Sequence, residues 1–269
     1  MCARPGLASI QEISLPNGIV ATADFRQGDP AAPAIIVIHG FLSTRNFLTV
    51  SSLIESLAGD NFTVLAPNLS LGINRRNKTL ACEAIHTHNI DSDIEEIDLW
   101  VDFLHRFGYK KIILIGHSYG SLHGLLYIKN HPDKGIQKLI AASLVDVEHV
   151  VGKEKSQAQI KLAETQIKNH DNGLHEYQVS YCKKYTAPAS AFLSYASWSQ
   201  QKILSTIKQV KTPLEIILGA KDKRMGENWP DILRRNGVKL QVIANANHFF
   251  NNEQEIDLLD SVLKALKGL

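Results

Sequence analysis

The sequence predicts an α/β fold with a mostly parallel central sheet that is flanked by helices. Continuous apolar runs rich in β-branched residues, such as Ala34–Ile38 and Ile112–Ile115, are typical of strands covered on both faces. Segments with apolar residues at helical spacing separate these runs, and the alternation implies parallel strands joined by right-handed crossovers. The length of 269 residues is compatible with a single domain of this class.

The elements can be followed along the first half of the chain. Residues 10–25 are predicted to form two strands around Pro16-Asn17-Gly18, because Asn-Gly favours tight hairpin turns, and Asp29–Pro33 is a loop. A helix with the apolar face Val50, Leu53, Ile54 and Leu57 comes next, followed by a strand at Phe62–Ala66 that Pro67 ends. The second helix has the apolar face Ile90, Ile94, Ile97, Val101 and Leu104. The remaining elements up to residue 145 are the strand Ile112–Ile115, a helix over Leu122–Lys129 and a strand at Lys138–Val145.

The helix that begins near Ile90 is strongly acidic near its N-terminal end, where carboxylates suit the helix dipole. Its acidic residues, which we place on the outer face, are Asp91, Asp93, Glu95, Glu96 and Asp98. Gly108 fits the end of the same helix, since glycine is the preferred residue just beyond a helix C-terminus.

Residues 146–209 interrupt the alternation. They are more polar, contain helical segments such as Gln159–Asn169, and show no buried-type strand. Strands resume at Leu214–Leu218 and Val238–Ala244, and a helix that Asn251 or Asn252 could cap closes the chain with the apolar face Ile256, Leu259, Leu263 and Leu266. We predict that residues 146–209 are a small helical cap or lid on a core made of residues 1–145 and 210–269, over the carboxyl ends of the strands, where such sheets bind ligands.

Composition excludes several classes of partner. The 29 basic and 27 acidic residues leave a net charge of only +2, so neither a nucleic acid nor an anionic membrane surface is expected to bind. No apolar run has the length of a transmembrane segment. Met1–Ser9 lacks the apolar region of a signal peptide, which favours the cytoplasm if the chain is complete, whereas a periplasmic or secreted protein whose signal has been removed would look the same.

The three cysteines, Cys2, Cys82 and Cys182, allow two interpretations. They are free thiols in a reducing compartment, or Cys82 and Cys182 form a disulfide that pins the cap to the core in an oxidising one. No Cys/His cluster with zinc-like spacing is present, and the serine chemistry predicted below needs no cofactor.

The motif Gly116-His117-Ser118-Tyr119-Gly120 carries the functional prediction. It lies between a buried strand and a helix, which is the context of a nucleophile elbow, and Gly116 and Gly120 supply the small flanking positions that the tight turn needs. Ser118 would then project from the carboxyl edge of the sheet at a helix N-terminus, where the dipole favours developing negative charge.

A serine hydroxyl needs a base to take its proton, and the base needs an acid to orient it. His248 follows the last predicted strand, which places it at the same sheet edge as Ser118. Asp222 follows the preceding strand, and Asp146 after the strand Lys138–Val145 is the alternative acid. The order Ser118, Asp222, His248 is the one expected on this fold. Lys221, Lys223 and Arg224 are interpreted as a solvated face.

The oxyanion hole needs two backbone N–H donors. One is assigned to Tyr119, the residue after the nucleophile, and the other to Phe41 in the turn His39-Gly40-Phe41, which follows the strand Ala34–Ile38. Gly40 lets this turn approach closely.

From about Ala34 to Leu269 the chain resembles the α/β-hydrolase superfamily, and within it the capped single-domain serine esterases and lipases. The motifs that carry the resemblance are His39-Gly40-Phe41, Gly116–Gly120, Gly219–Asp222 and Asn247-His248. Many members have Gly-His where this chain has Asn247-His248, and often an Asp-containing turn where it has Pro67–Gly72. The resemblance implies the fold and the triad but not the substrate, because this fold hosts many reactions.

Further residues near the predicted mouth of the site have two interpretations each. His86 and His88 with Asp91 could bind a metal, or they are polar loop and capping residues. Arg75 and Arg76 could hold a substrate anion, or they are solvated charges. The aromatic residues of the cap either pack it onto the core or form an apolar pocket; they are Tyr177, Tyr181, Tyr185, Phe192, Tyr195 and Trp198.

These residues predict a serine hydrolase that acts on a carboxylic ester or thioester with an apolar part. An acyltransferase or a peptidase on the same triad is the alternative among enzymes, since the cap chooses the acceptor. A binding protein on the same fold, without catalysis, is the alternative outside them. The sequence does not indicate the oligomeric state.

Overall fold

The computed structural model describes residues 8–267, so Cys2 and most of the segment Met1–Ser9, in which no signal peptide was recognised, lie outside the described residues. An eight-stranded sheet forms the centre, with the strand order β1-β2-β4-β3-β5-β6-β9-β10. Its strands are β1 (Ser9–Ser14), β2 (Val20–Arg26), β3 (Ala34–Ile38), β4 (Val64–Asn68), β5 (Ile112–His117), β6 (Ile136–Ala142), β9 (Leu214–Gly219) and β10 (Lys239–Ile243). The sheet is parallel from β4 to β10, and β1 and β2 add an antiparallel edge. The predicted fold class is therefore confirmed.

Helices cover both faces of the sheet. They are α1 (Leu48–Gly59), α2 (Ile90–Arg106), α3 (Tyr119–Asn130), α4 (Val147–Val151), α5 (Lys153–Lys168), α6 (Ala189–Ala196), α7 (Gln200–Ile207), α8 (Trp229–Arg235) and α9 (Gln254–Leu266). Helices α1 and α9 bury apolar residues against one face, and α2, α3 and α8 do so against the other. The strands β3 and β5 between these layers are buried at every position, which is why they read as unbroken apolar runs.

The segment between β6 and β9 differs from the prediction of helices alone. It contains the antiparallel hairpin β7 (His175–Val179) and β8 (Cys182–Ala187) between α5 and α6. The expectation of a helical cap without buried-type strands did not include this hairpin, because exposed positions interrupt its strands and neither forms a continuous apolar run.

Cys82 and Cys182 form a disulfide. It joins β8 to the connection between β4 and α2, and a bridge between Ile85 and Thr186 continues the contact. Of the two interpretations of the cysteines, the structure thus supports the bridged one for this pair.

Two local predictions need correction. Pro67 lies inside β4, at a point where β4 pairs with β2 but no longer with β3, so the missing N–H leaves the parallel pairing intact. The N-cap of α9 is Glu253, without a side-chain hydrogen bond, and not Asn251 or Asn252. Among the residues described, no helix is long and apolar enough to cross a bilayer.

Candidate active site

Ser118 occupies a strained turn between β5 and α3. Its φ of 58° and ψ of −121° are unusual for a residue with a side chain. Its N–H donates to Ala142 O at 2.9 Å. The hydroxyl of Ser121 is 2.8 Å from both Gly116 O and Ala142 O. These bonds tie the turn to β6, so that Ser118 is held at the carboxyl edge of the sheet.

Close backbone packing explains the glycines around Ser118. A Cβ on Gly116 would lie 2.3 Å from the carbonyl carbon of Gly120, and a Cβ on Gly120 would lie 2.2 Å from Ile38 O. A Cβ on Gly40 would lie 3.3 Å from that of Ser118, which shows how closely the turn after β3 approaches the serine. The predicted supporting turns therefore meet at one place.

The structure brings Ser118, His248 and Asp222 together in a hydrogen-bonded chain. Ser118 Oγ is 2.9 Å from His248 Nε2, and His248 Nδ1 is 2.7 Å from Asp222 Oδ2. All three side chains are at least nine-tenths buried. The second oxygen of Asp222 accepts the N–H of Arg224 at 2.8 Å, which fixes the carboxylate plane. With Asp222 on Nδ1, the proton of a neutral His248 lies there and Nε2 is free to accept the serine proton.

His117, which the sequence prediction did not use, supports the loop of His248. Its Nε2 donates to His248 O at 2.9 Å, and the hydroxyl of Ser143 donates to the same oxygen at 2.8 Å. Burial, followed by the charge of His248, lowers the pKa of His117 to about 3. The His117 ring is therefore neutral at physiological pH.

Asp146, the alternative acid, is bound elsewhere. Its carboxylate caps α4 through the N–H of His149 and accepts Gln200 Nε2 at 2.7 Å and the Gly226 N–H at 3.0 Å. It therefore organises the loop after β6, whereas Asp222 is the carboxylate at His248.

The turn His39-Gly40-Phe41 is braced by buried polar contacts. His39 Nε2 accepts the Leu69 N–H at 3.1 Å and Arg76 Nη2 at 2.9 Å, so the proton of the ring lies on Nδ1, which is 2.8 Å from Gly40 O. Burial and then the nearby charge of Arg76 lower the pKa of His39 to about 3. Within the described chain the N–H of Phe41 makes no hydrogen bond, as an oxyanion donor requires.

Both arginines of this region are paired with groups of the protein itself. Arg76 is buried, and besides His39 it donates to Leu69 O at 2.6 Å and Lys78 O at 2.8 Å, so the interpretation as a solvated charge was wrong. Arg75 pairs with Glu12 at the surface, with 2.8 Å between Nε and Oε1.

His86 and His88 belong to a buried aromatic cluster under α6. His86 stacks on Tyr185 with 4.2 Å between ring centroids, and His88 Nδ1 bonds the hydroxyl of Tyr195 at 2.7 Å. Among the described residues no group of His, Cys, Asp or Glu is arranged to hold a metal ion. Asp91, the third proposed ligand, is exposed.

Asp93 and Glu96 correct the prediction of an acidic outer face on α2, because both are buried. His123 Nε2 is 3.0 Å from Asp93 Oδ2, and the hydroxyl of Tyr195 donates to the same oxygen. Glu96 Oε2 accepts the N–H of Ser70 at 2.8 Å. Their partners come from other elements, so helical spacing alone could not reveal them.

A cavity of about 300 Å³ opens beside Ser118. Its walls are largely aromatic, and they are formed by Phe41, Phe47, Tyr181 and Phe249. Tyr181, at the β7–β8 turn, donates its hydroxyl to Phe41 O at 3.1 Å. Arg224 also lines the cavity, with its guanidinium 4.6 Å from the ring centroid of Phe249 and 5.4 Å from that of Tyr181. For Arg224 the interpretation as part of a solvated face was wrong.

Comparisons with known proteins agree with this architecture. The model of the α/β hydrolase fold family matches residues 33–165. No curated protein shows significant sequence similarity. Among solved structures, Est1E from Butyrivibrio proteoclasticus with ferulic acid bound is 17% identical, with 96% of each chain covered and a TM-score of 0.67. The α/β hydrolase GrgF from Penicillium sp. is 15% identical, with 97% of this chain and 98% of that chain covered and a TM-score of 0.72. A thioesterase domain from the curacin biosynthetic pathway is 16% identical, with 97% and 99% covered and a TM-score of 0.61.

Proposed function

Because this chain belongs to the α/β-hydrolase fold family, we propose that it is a serine hydrolase that cleaves a carboxylic ester or thioester through an acyl-enzyme on Ser118. The observation that carries the proposal is the hydrogen-bonded chain from Ser118 Oγ to His248 Nε2 and from His248 Nδ1 to Asp222. This arrangement supplies a nucleophile, a base and an acid that orients the base.

In the first half of the reaction, Ser118 Oγ attacks the carbonyl carbon of the ester while His248 Nε2 takes the hydroxyl proton. Asp222 holds the ring and stabilises the imidazolium that forms. When the tetrahedral intermediate collapses, the bond to the alcohol or thiol breaks, and His248 returns its proton to the leaving group. Ser118 is then acylated.

The N–H groups of Phe41 and Tyr119 are assigned as the donors that stabilise the negative charge of the intermediate. The N–H of Tyr119 belongs to the first turn of α3, where backbone donors have no partner within the helix and the dipole favours an anion. Each such donor typically stabilises the transition state by about 3 kcal/mol. In the second half of the reaction, a water activated by His248 attacks the acyl carbon and releases the acid.

The cavity supports a small substrate with an apolar part. About 300 Å³ is at the lower end of the range for ligand pockets, and its walls are mostly aromatic. Est1E was found with ferulic acid bound, and another neighbour is a thioesterase domain, which agrees with acyl chemistry on this fold. We assign residues 146–209 as the cap of this cavity, supported by the bond between Tyr181 and Phe41.

The proposal is tested with a fluorophosphonate probe and a series of p-nitrophenyl esters of increasing acyl length. Labelling and turnover are expected for the native chain and are expected to vanish in Ser118→Ala. Ser205→Ala is the matched control, because Ser205 is exposed on α7 and does not line the cavity, so both activities should be retained. Absence of labelling and of turnover across the series would contradict the enzyme proposal and favour the binding-protein alternative.

A further inference from the structure

Arg224 is the only charged residue that lines the cavity beside Ser118 in the described chain. The other polar groups there are neutral: Ser43, Thr79, the Tyr181 hydroxyl and His117, whose pKa burial lowers to about 3. A single positive charge in a half-buried, aromatic surrounding therefore dominates the electrostatics of the site.

Asp222 is the carboxylate whose charge acts on the Arg224 guanidinium, but its oxygens bond His248 Nδ1 and the Arg224 backbone N–H and not the guanidinium. Within residues 8–267 no carboxylate lies within salt-bridge distance of it, and it makes no side-chain hydrogen bond. The rings of Phe249 and Tyr181 contact it instead, at 4.6 and 5.4 Å from their centroids. Aromatic faces stabilise a cation electrostatically but take up none of its N–H donors.

The backbone places this cation with the catalytic groups. The Arg224 N–H donates to Asp222 Oδ1 at 2.8 Å, and Phe249 follows His248 directly in the chain. The position of Arg224 is thus fixed by the same residues that position the base. A ligand group bound to the guanidinium would be held a few bonds away from the carbonyl carbon that Ser118 attacks, because one cavity of about 300 Å³ contains both residues.

We propose that Arg224 binds a carboxylate of the substrate, and that the preferred substrates are small esters or thioesters carrying a carboxylate within a few bonds of the scissile carbonyl. This inference rests on the proposed function and names its substrate class. The planar guanidinium presents paired N–H donors that match a carboxylate. A carboxylate is favoured over a phosphate because its single charge is balanced by one arginine, whereas a dianion would leave an unpaired charge in an aromatic cavity.

Two matched substrate pairs test which side of the ester carries the anion. The first is the p-nitrophenyl monoester of glutarate against p-nitrophenyl methyl glutarate, and the second is 4-acetoxybenzoate against its methyl ester. In at least one pair the native enzyme is expected to favour the anion, by about 10- to 100-fold in kcat/KM, the size of a charged hydrogen bond. Arg224→Met should abolish that preference, measured as the ratio of kcat/KM for the anionic and the neutral ester of each pair. Arg224→Lys should retain part of the preference, since lysine keeps the positive charge but lacks the paired N–H donors of the planar guanidinium.

Lys223→Met is the matched control, because Lys223 is an exposed neighbouring cation outside the cavity lining. It should leave the preference unchanged, whereas a purely structural role of Arg224 would lower thermal stability and leave the ratio of the two substrates intact. A native enzyme that does not favour the anion in either pair, or a preference that survives in Arg224→Met, overturns the inference.

A binding measurement separates failure of this inference from failure of the proposed function. In Ser118→Ala, calorimetric titration with monomethyl glutarate is expected to show tighter binding than with dimethyl glutarate, and addition of Arg224→Met should remove the difference. Equal binding of the two compounds overturns carboxylate recognition. Absence of turnover and of probe labelling, with the binding difference intact, overturns only the hydrolase proposal.

Discussion

At the residue scale, the turn around Ser118 has no room for a methyl group at Gly120. A Cβ there would lie 2.2 Å from Ile38 O and 2.7 Å from His39 O, and both are backbone atoms that cannot rotate away. We expect Gly120→Ala to lower the free energy of unfolding by about 3 kcal/mol or more, since β3 or α3 must shift. Thermal and chemical denaturation measure the loss.

Gly59→Ala is the matched control for this prediction. Gly59 ends α1, and a Cβ there would have no atom within 4 Å. Because alanine is a better helix former than glycine, this variant is expected to be unchanged or up to about 1 kcal/mol more stable. Equal stability of the two variants would mean that the turn tolerates a side chain.

The two candidate acids allow a second test at this scale. Asp222→Asn should lower kcat by about 10⁴-fold with little effect on folding, because the amide cannot stabilise the imidazolium at His248. Asp146→Asn should weaken the bonds to Gln200 and Gly226 and lower stability by about 1–2 kcal/mol, but it should leave kcat within about tenfold. Ester turnover and denaturation of both variants check this, and a larger loss of kcat in Asp146→Asn would reverse the assignment.

Sequence reasoning placed Ser118, Asp222 and His248 correctly at one edge, because each follows a strand and parallel strands end at the same side of a sheet. It did not find Arg224. A cation in a run of charges after a strand looks solvated, and its aromatic neighbours Tyr181 and Phe249 come from distant parts of the chain. Such a contact is visible only in three dimensions.

At the scale of elements, α2 contains a buried acid, Glu96, that the helical periodicity of the sequence did not reveal. Glu96 was predicted on the outer face together with the neighbouring acids of the helix N-terminal end. It packs instead under the Ser70 turn, and one of its oxygens has no partner in the described chain. Burial raises the pKa of Glu96 to about 7, while hydrogen bonds from Ser70 act in the opposite direction. The carboxyl group is therefore partly protonated near neutral pH.

This raised pKa makes stability depend on pH with a definite sign. The unfolded chain releases the Glu96 proton near 4.5 and the folded chain near 7, so the folded state holds more protons between these values. The contribution is fully present below about pH 4.5 and is lost as pH rises through 7, by about 3 kcal/mol in total. Glu96→Gln removes this ionisation, so its stability relative to the native chain should rise from pH 5 to pH 8.

Urea denaturation of both proteins at pH 5 and pH 8 measures the difference, and other titrating groups cancel in the comparison. Glu95→Gln is the control, because the neighbouring Glu95 is exposed and its removal should change stability equally at both values of pH. A relative stability of Glu96→Gln that is independent of pH would contradict the raised pKa.

The hairpin β7–β8 was missed for a different reason. In β7 the buried residues Tyr177 and Val179 alternate with more exposed polar ones, which is the period-two pattern of a half-covered sheet, whereas in β8 two exposed lysines separate Cys182 from Tyr185. The search for continuous apolar runs that found β3 and β5 does not detect this pattern. Alternation around the turn at Ser180-Tyr181 was the available signal.

At the scale of the whole molecule, the disulfide links two segments that are far apart in the sequence. Cys82 and Cys182 are separated by 100 residues, and that loop contains α2, β5, α3, β6, α4, α5 and β7. Cross-linking so long a loop removes much conformational freedom from the unfolded chain. The bridge therefore acts on the stability of the whole fold, besides holding β8 at the mouth of the cavity.

The double variant Cys82→Ser/Cys182→Ser should lose about 3–5 kcal/mol of unfolding free energy relative to the oxidised native chain, as expected for a loop of this length. Thiol titration in denaturant should find one thiol per chain before reduction and three after it. Reduction should bring the native chain down to the stability of the variant, because both then lack the same cross-link. Three thiols without reductant, or a native chain whose stability ignores reductant, would show that the pair is not bridged in solution and that β8 is held by packing and the bridge between Ile85 and Thr186.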